Sequence, residues 1–466
     1  MYLIASLTFL LVFLVAGKTL TAKRLPLPPG PQGLPLIGSI LSVDKQRPWL
    51  TYTGWKKSYG DIVSCRVLGQ QYIILNSVKV AKALVEQRSN IYSDRPSIAL
   101  TALSGLDFNT ARLPYGGRWR VHRKMYHLVI NTEAIQRYHP LLLNTGHVLL
   151  ESLLHTPEDY FFMSIVFGYD VAPKNDRFVT QIEKLLEAAV YMTPQRVALL
   201  STFPSLLCLP TLFLGAKIQH QTLQCTDLSP EARQTPFKFV KDCLSASIDN
   251  RSMVSDFLQR MPLDEPFYEQ DIRDCATSAF LAGADSMQST LLTFILAMIL
   301  YPDIQDRAHT ELNAVVGRRQ IPAFADRTSL PYIDAILRET SRWGALVPLA
   351  VPHRANKDDI FEGFRIPGGS MVITNLAMTR DEDRFPDPED FRPERHLNAK
   401  GNLLPEDLSD LFFGYGRRIC PGRQLADAST WLAIAFMLSH FKFGKAIGPA
   451  GYEIDVFPEF SPGIAT

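Results

Sequence analysis

The chain has 466 residues, 46% of them hydrophobic and 20% charged, which is enough apolar material for a large buried core. Its 48 Lys and Arg against 47 Asp and Glu leave a net charge of +1, with the basic residues scattered, and this removes the electrostatic footprint of a nucleic-acid binder. The six cysteines lie far apart with no CxxC, so neither a disulfide framework nor a zinc spacing is present, and a reducing compartment suits them.

Residues 2–17 are apolar except for Ser6 and Thr8. No Lys or Arg precedes them, while Lys18, Lys23 and Arg24 follow. The run is short for a membrane span, but residues 19–22 extend it. A cleaved signal peptide is the rival, with Val15-Ala-Gly17 as its small-residue site. The charge asymmetry instead favours a membrane anchor over 1–22 with the body in the cytosol. The sequon Asn250-Arg-Ser252 would stay bare there. Pro26, Pro28, Pro29, Pro31 and Pro35, with Gly30 and Gly33, predict a stiff extended hinge over 23–35. No repeat or long linker divides the remainder, so 36–466 is expected to be one folded domain.

Short strands are expected at 62–65 and 72–75 around Gly69, then a helix over 78–87. Residues 93–115 are irregular. A helix over 117–129 carries Arg118, Arg120, Arg123 and Lys124, and further helices are expected over 181–191 and 235–258. The longest helical pattern runs over 271–301 and is closed by Pro302. It is apolar nearly all round, which belongs in the middle of a large domain. Its centre, Ala282-Gly283-Ala284-Asp285-Ser286, places a glycine, a carboxylate and a hydroxyl where each is costly; the glycine alone costs about 1 kcal/mol relative to Ala. Serine there can also bond back to the i−4 carbonyl and bend the helix. Two readings stay open: a kink that leaves room for a small molecule, or a close helix–helix contact. A helix over 332–343 puts Glu339 and Arg342 on one face, and strands with a Pro367-Gly-Gly turn follow over 363–372.

Near the C-terminus the chain reads Phe413-Gly-Tyr-Gly416-Arg-Arg418-Ile-Cys420-Pro-Gly422. A chain of this length matches Phe, Gly, Arg, Cys and Gly at those offsets by chance with odds on the order of 10⁻⁴. A thiolate bound to a metal needs backbone N–H groups to hold its charge. Pro421 has none, so the donors must come from Gly422 onward. Gly416 and Gly422 are expected to turn tightly and approach the sulfur closely. Arg418 is a permanent cation two residues away, and Phe413 offers a ring to keep water off. Leu425, Trp431, Leu432, Ala435, Phe436 and Leu438 then recur at helical spacing.

This loop resembles the haem-binding loop of the cytochrome P450 family. The order of Glu339-x-x-Arg342, then Phe391-Arg-Pro393-Glu-Arg395, then Cys420 is similar to that family's helix motifs, and the likeness covers nearly the whole chain. Tyr115-Gly-Gly-Arg-Trp119-Arg is similar to fungal microsomal members. The resemblance implies a mainly α fold with small β-sheets (α+β), one large domain with haem b between two long helices. It makes Cys420 the thiolate ligand, which pushes electron density towards bound oxygen, with Phe413, Arg418 and Gly422 in the cofactor loop. Trp119, Arg123 and His353 would reach the haem propionates. Glu339, Arg342 and Arg395 would form a buried charge network, and Asp285 and Ser286 a proton relay. Residues 93–113, 345–351 and 456–464 would line the substrate pocket.

The implied activity is monooxygenation of a small apolar substrate at the endoplasmic reticulum membrane, in fungal secondary metabolism such as terpenoid biosynthesis. NADPH electrons would arrive through a reductase, with cytochrome b5 as a further donor. Xenobiotic breakdown, a reductase-independent isomerase or dehydratase, and a catalytically impaired haem protein stay open beside it. Four features depart from the family pattern. Ser286 stands where Thr is usual. Asn375-Leu-Ala lacks the Trp that often follows. The segment 153–163 is short by about three helical turns. The sequence ends at Thr466, ahead of a closing strand.

Overall fold

The computed structural model describes residues 25–96, 104–153, 160–171, 176–190, 216–260, 269–318, 320–405, 409–449 and 451–458. The expected anchor over 1–22 and Cys208 lie outside these, as do residues 154–159 of the segment expected to be short.

Helix α1 (Pro48–Tyr59) leads into strands β1 (Ile62–Val67) and β2 (Gln70–Leu75). The two pair antiparallel, from Ile62 opposite Leu75 to Val67 opposite Gln70. Leu68 and Gly69 make the turn with φ of 49° and 82°, which explains the glycine. The helices that matter for the site follow in order: α2 (Gly117–Ile130), α3 (His139–Leu153), α4 (Tyr160–Phe167), α5 (Arg177–Val190), α6 (Ala216–Ser245), α7 (Met253–Arg260), α8 (Glu269–Leu300), α9 (Pro302–Val315) and α10 (Pro331–Gly344). Strands β3 (His353–Arg354), β4 (Asp359–Phe361), β5 (Phe364–Ile366) and β6 (Met371–Thr374) come next, then α11 (Arg423–His440). The larger sheet has the order β1-β2-β6-β3, with β2 and β6 parallel; β4 and β5 form a separate hairpin.

Helix α8 is the axle. It packs against α2, α4, α6, α7, α10 and α11, and Ile272, Cys275, Phe280, Met287, Phe294 and Met298 are buried in the main core with Trp431 and Phe436 of α11. By length and composition alone α8 is long and apolar enough to cross a membrane, but these buried residues pack it against protein neighbours.

Several elements differ from expectation. The segment 235–258 is two helices: α6 ends at Ser245, Ser247 takes a φ of 57°, and Ser252 Oγ accepts from the Ser255 N–H to start α7. Between them Asn250 is buried, its Nδ2 donating to the Phe167 carbonyl at 3.0 Å, so in the folded chain the sequon asparagine is occupied. The helix at 78–87 is an α turn followed by a π turn over Lys82–Glu86. The proline tract is extended but docks from Pro26 onward. Arg365 N donates to the Pro26 carbonyl, and Ser64 donates to the carbonyls of Pro28 and Pro29. A Cβ on Gly30 would fall 1.8 Å from the Ser64 carbonyl oxygen. Sequence periodicity missed this because the contact is backbone to backbone.

Candidate functional site

The cysteine loop is built by glycine and backbone hydrogen bonds. A short helix, Ser409–Phe413, ends in Gly414 and Gly416, with φ of 78° and 57°. A Cβ on Gly416 would meet the Val85 carbonyl oxygen at 2.6 Å, so the loop presses on the Lys82–Glu86 turn where no side chain fits. The Cys420 N–H closes the loop onto the Phe413 carbonyl at 2.7 Å. Gly422 does not turn as expected: its φ is −86°, open to any residue. Gly414 supplies the second left-handed position instead. Gly422 carries the first N–H available after Pro421. Burial pushes the Cys420 thiol up, and the Gly422 N–H together with the charges of Arg123 and Arg423 opposes it. Cys420 also keeps some accessible surface. Crowding and accessibility together describe a group facing an internal space.

Beside the loop lies a cluster of cations. Arg418 gives Nε to the Ser93 carbonyl and Nη2 to the Leu113 carbonyl, both at 2.8 Å. Its Nη1 is buried without a partner, and its guanidinium lies 4.5 Å over the Trp119 ring. Arg123 donates to the Ile419 carbonyl at 2.6 Å, tying α2 to the cysteine loop. His353 donates its Nδ1–H to the Tyr92 carbonyl at 2.7 Å. Burial and the Arg95 charge hold its pKa well below the usual histidine value. Arg95, which sequence reasoning passed over, is buried and gives its donors to the carbonyls of Ala111, Val351 and Pro352. Burial, then the Arg418 charge, lowers its pKa. A buried donor without an acceptor, among arginines that repel one another, is a place for an anion. The residues therefore fit a haem: a thiolate donor at Cys420 and carboxylate receptors at Arg418, Arg95, His353 and Trp119.

On the far side of α10 the other charges are satisfied. Glu339 and Arg342 are fully inaccessible and paired at 2.7 Å. Arg395 Nε reaches Glu339 Oε1 at 3.0 Å, and the Arg392 backbone N–H reaches it at 2.8 Å. His396 Nε2 lies 2.8 Å from Glu339 Oε2. Burial raises the Glu339 carboxyl, but the hydrogen bonds from Arg342 and His396 more than reverse this and bring it to about 2. His396 was not expected; its only sequence signal is that it follows Arg395.

The middle of α8 is continuous helix through Gly283. Ala282 is exposed and Gly283 to Ser286 are partly so, although Leu281 and Met287 on either side are buried. Burial alone raises the Asp285 carboxyl to about 6. Ser286 Oγ is 3.4 Å from the Gly283 carbonyl, a long contact that holds the hydroxyl loosely and is not the i−4 bond expected of a bent helix. The loop 104–113 is fixed over the start of α8: Thr110 N donates to Ser278 Oγ at 3.1 Å, and Ser229 of α6 donates to the Gly105 carbonyl at 2.7 Å. Arg118 bridges Asp271 and Asp274, and Arg233 of α6 meets Asp274 from the other side at 3.0 Å.

Comparison with known proteins agrees with this arrangement. The profile of the Cytochrome P450 family matches residues 28–447. Cytochrome P450 monooxygenase 176 of Postia placenta is 34% identical over 97% of this chain and 91% of its own length. Cytochrome P450 monooxygenase claR of Ampulloclitocybe clavipes is 35% identical over 95% of this chain and 84% of its own length. For cytochrome P450 monooxygenase ple1 of Rhodocybe pseudopiperita the figures are 34%, 94% and 87%. The chain belongs to the cytochrome P450 family, haem b monooxygenases that draw NADPH electrons through a reductase and incorporate oxygen into their substrates.

Proposed function

We propose that this chain is a membrane-anchored monooxygenase of fungal secondary metabolism, in which the Cys420 thiolate would hold the haem iron. When bound, haem supplies the reductive activation of dioxygen and the insertion of one oxygen atom into a C–H bond. The observation that carries the assignment is a partly accessible Cys420 in a loop that its own N–H closes onto the Phe413 carbonyl, together with the buried, unpartnered Nη1 of Arg418 two residues earlier in the chain. Arg418, Arg95, His353 and Trp119 would receive the propionates. Arg123 positions the cysteine loop through Ile419.

Asp285 and Ser286 are proposed as the proton relay. A carboxyl raised to about 6 exchanges protons near neutral pH. A hydroxyl held only at 3.4 Å can turn from its carbonyl to donate. The reductase would dock on the face carrying Arg120, Lys124, Arg417 and Arg423. The apolar run at 1–22 would hold the body at the endoplasmic reticulum, where the reductase is reached by diffusion in the membrane. Leu, Phe, Ala and Val in the proposed pocket walls favour a largely apolar substrate.

A reduced carbon-monoxide difference spectrum tests the reading. The parent should give the thiolate-type Soret band and Cys420→Ser should lose it, while Cys65→Ser and Cys225→Ser, both buried and outside the loop, should keep it. A Cys420→Ser protein that retains the band and NADPH-dependent turnover would overturn the ligand assignment. Turnover by the parent without NADPH would favour an isomerase or dehydratase.

A further inference from the structure

Arg112 is the arginine that neither the haem site nor the frame uses. Its backbone is clamped on both sides. The Ala111 carbonyl accepts from Arg95 and the Leu113 carbonyl from Arg418, each at 2.8 Å. Two residues upstream, Thr110 is bonded to Ser278 of α8. Arg112 is thus wedged between the cation cluster, α8 and α6, where the Cys225 thiol is close enough for each group to perturb the other.

The neighbouring arginines are all engaged. Arg118 and Arg233 hold Asp271 and Asp274, and Arg95, Arg123 and Arg418 hold backbone carbonyls. The side chain of Arg112, among the described residues, meets no carboxylate and no hydrogen-bond acceptor. It is only half-buried by surface, yet crowded enough for desolvation to lower its pKa. Both hold for a group that faces an internal space instead of bulk water.

The loop that carries Arg112 is tied to α8 at Ser278, one to two turns before the middle of that helix. Ser278, Ala282 and Ser286 recur at i, i+4 and i+8, so they form one stripe on the helix. Ser278 is bonded to the loop that carries Arg112, and Ala282, one turn on, is exposed. From Ser278 to Ser286 is about 12 Å along the axis. An arginine keeps its charge, so a half-buried one with no acceptor among the described residues is placed to take up an anion. Its planar fork matches a carboxylate, and a single fork fits one negative charge.

We propose that Arg112 is a specificity-determining residue that receives the carboxylate of an otherwise apolar substrate, leaving a carbon one to two helical turns away beside Asp285 and Ser286. This deepens the monooxygenase reading above and rests on it. The same fork would suit a haem propionate, and the experiment separates the two.

The haem-loaded enzyme is titrated with dodecanoate and with 1-dodecanol, read by the substrate-induced spin shift of the Soret band. The parent should bind dodecanoate roughly tenfold or more tightly than dodecanol, the scale of one charge-assisted fork. Arg112→Gln should abolish that preference, with dodecanol binding and the carbon-monoxide spectrum unchanged. Arg112→Lys keeps the charge and loses the fork, so it should retain part of the preference. A parent that does not favour the carboxylate overturns the proposal, as does an Arg112→Gln variant that keeps the preference. If both variants lose haem while the parent holds it, Arg112 serves a propionate and the proposal falls. A parent with no thiolate-type spectrum sinks the monooxygenase reading itself, a result the titration alone would not produce.

Discussion

Arg342 is buried and Arg112 half-buried, and their surroundings treat them in opposite ways. Arg342 is inaccessible; its Nε and Nη2 go to Glu339 and its Nη1 to the carbonyls of Thr379 and Pro388. Arg112 sits on a clamped backbone with its guanidinium unpaired among the described residues. The first arrangement is closed: every acceptor is internal, so nothing that binds the protein can change it, and its work is to hold α10 to the segment at 386–396. The second is open and waits for something outside the chain. The same division runs through the molecule. Around Glu339 the buried charges pair among themselves, whereas around Cys420 and the middle of α8 an arginine nitrogen, a carboxyl and a hydroxyl are left short of partners. A buried polar group with its full set of bonds belongs to the frame, and one without marks the site.

The sharpest way to break that division is to open the closed side. Glu339→Gln strands Arg342 and Arg395 together, and removing one partner of a buried pair costs about 3–5 kcal/mol. Urea unfolding of the haem-loaded protein at pH 7 should show a loss of that size, with low haem yield. The acid limb gives a second reading. The folded Glu339 carboxyl sits at about 2 against an ordinary 4.5. Its stabilisation is therefore present above pH 4.5 and lost as pH falls towards 2, amounting to about 3 kcal/mol across that window. Glu339→Gln should lack this contribution. An unchanged unfolding midpoint at pH 7 would make the network a bystander.

The closed side was the more legible in the sequence. Glu339 and Arg342 share a helix face by spacing, and Arg395 follows in a fixed order of motifs, so three of the four partners are visible before folding. His396 was not, because a histidine beside an arginine carries no periodic signal. The cysteine loop was legible through its fixed offsets, but the role of its glycines was only half so: Gly416 is positioned by the approach of Val85, while Gly414 and not Gly422 takes the other left-handed turn. Backbone conformation at a glycine depends on what lies opposite, which local sequence does not contain. Arg95 and Arg112 were invisible for a related reason. They lie in an irregular stretch, and their meaning comes from carbonyls and helices far away in the chain. The continuous 235–258 pattern hid a break because both halves keep the same apolar period across it.

On the open side, Asp285 should matter next most. With its carboxyl at about 6, the protonated form dominates below that pH. Coupled product formation should rise as pH falls through 6. Asp285→Asn should lower turnover by about 100-fold, the usual size of one general acid, and flatten this limb. A variant that keeps the limb would place the titration elsewhere. Ser286→Ala should act more mildly, because water can replace part of a loosely held hydroxyl. NADPH consumption should continue while peroxide per NADPH rises, by about tenfold at most. Unchanged coupling would mean that the bond to the Gly283 carbonyl is all the hydroxyl does. Ser286→Thr would then restrain a rotamer to no effect, whereas a relay residue should gain coupling from it.

The smallest effect is expected outside both networks, on the basic face. Lys124 of α2 is exposed, and Arg120 and Arg417 hold Tyr115 between them, one over its ring at 5.1 Å and one bonded to its hydroxyl. With Arg423 at the start of α11, these charges lie around the cysteine loop, the face proposed above for the reductase. Charges in water act only within a screening length, about 30 Å at 0.01 M salt and 3 Å at 1 M. Reduction of the haem-loaded enzyme by NADPH–cytochrome P450 reductase should therefore slow as salt rises. Lys124→Glu should slow it about two- to fivefold at low salt, chiefly through association, and weaken the salt dependence. Because Lys124 lies outside the Glu339 network, the unfolding midpoint and the carbon-monoxide spectrum of this variant should match the parent. A reduction rate indifferent to both salt and Lys124→Glu would move the docking site off this face. A shifted unfolding midpoint would show that Lys124 belongs to the frame after all.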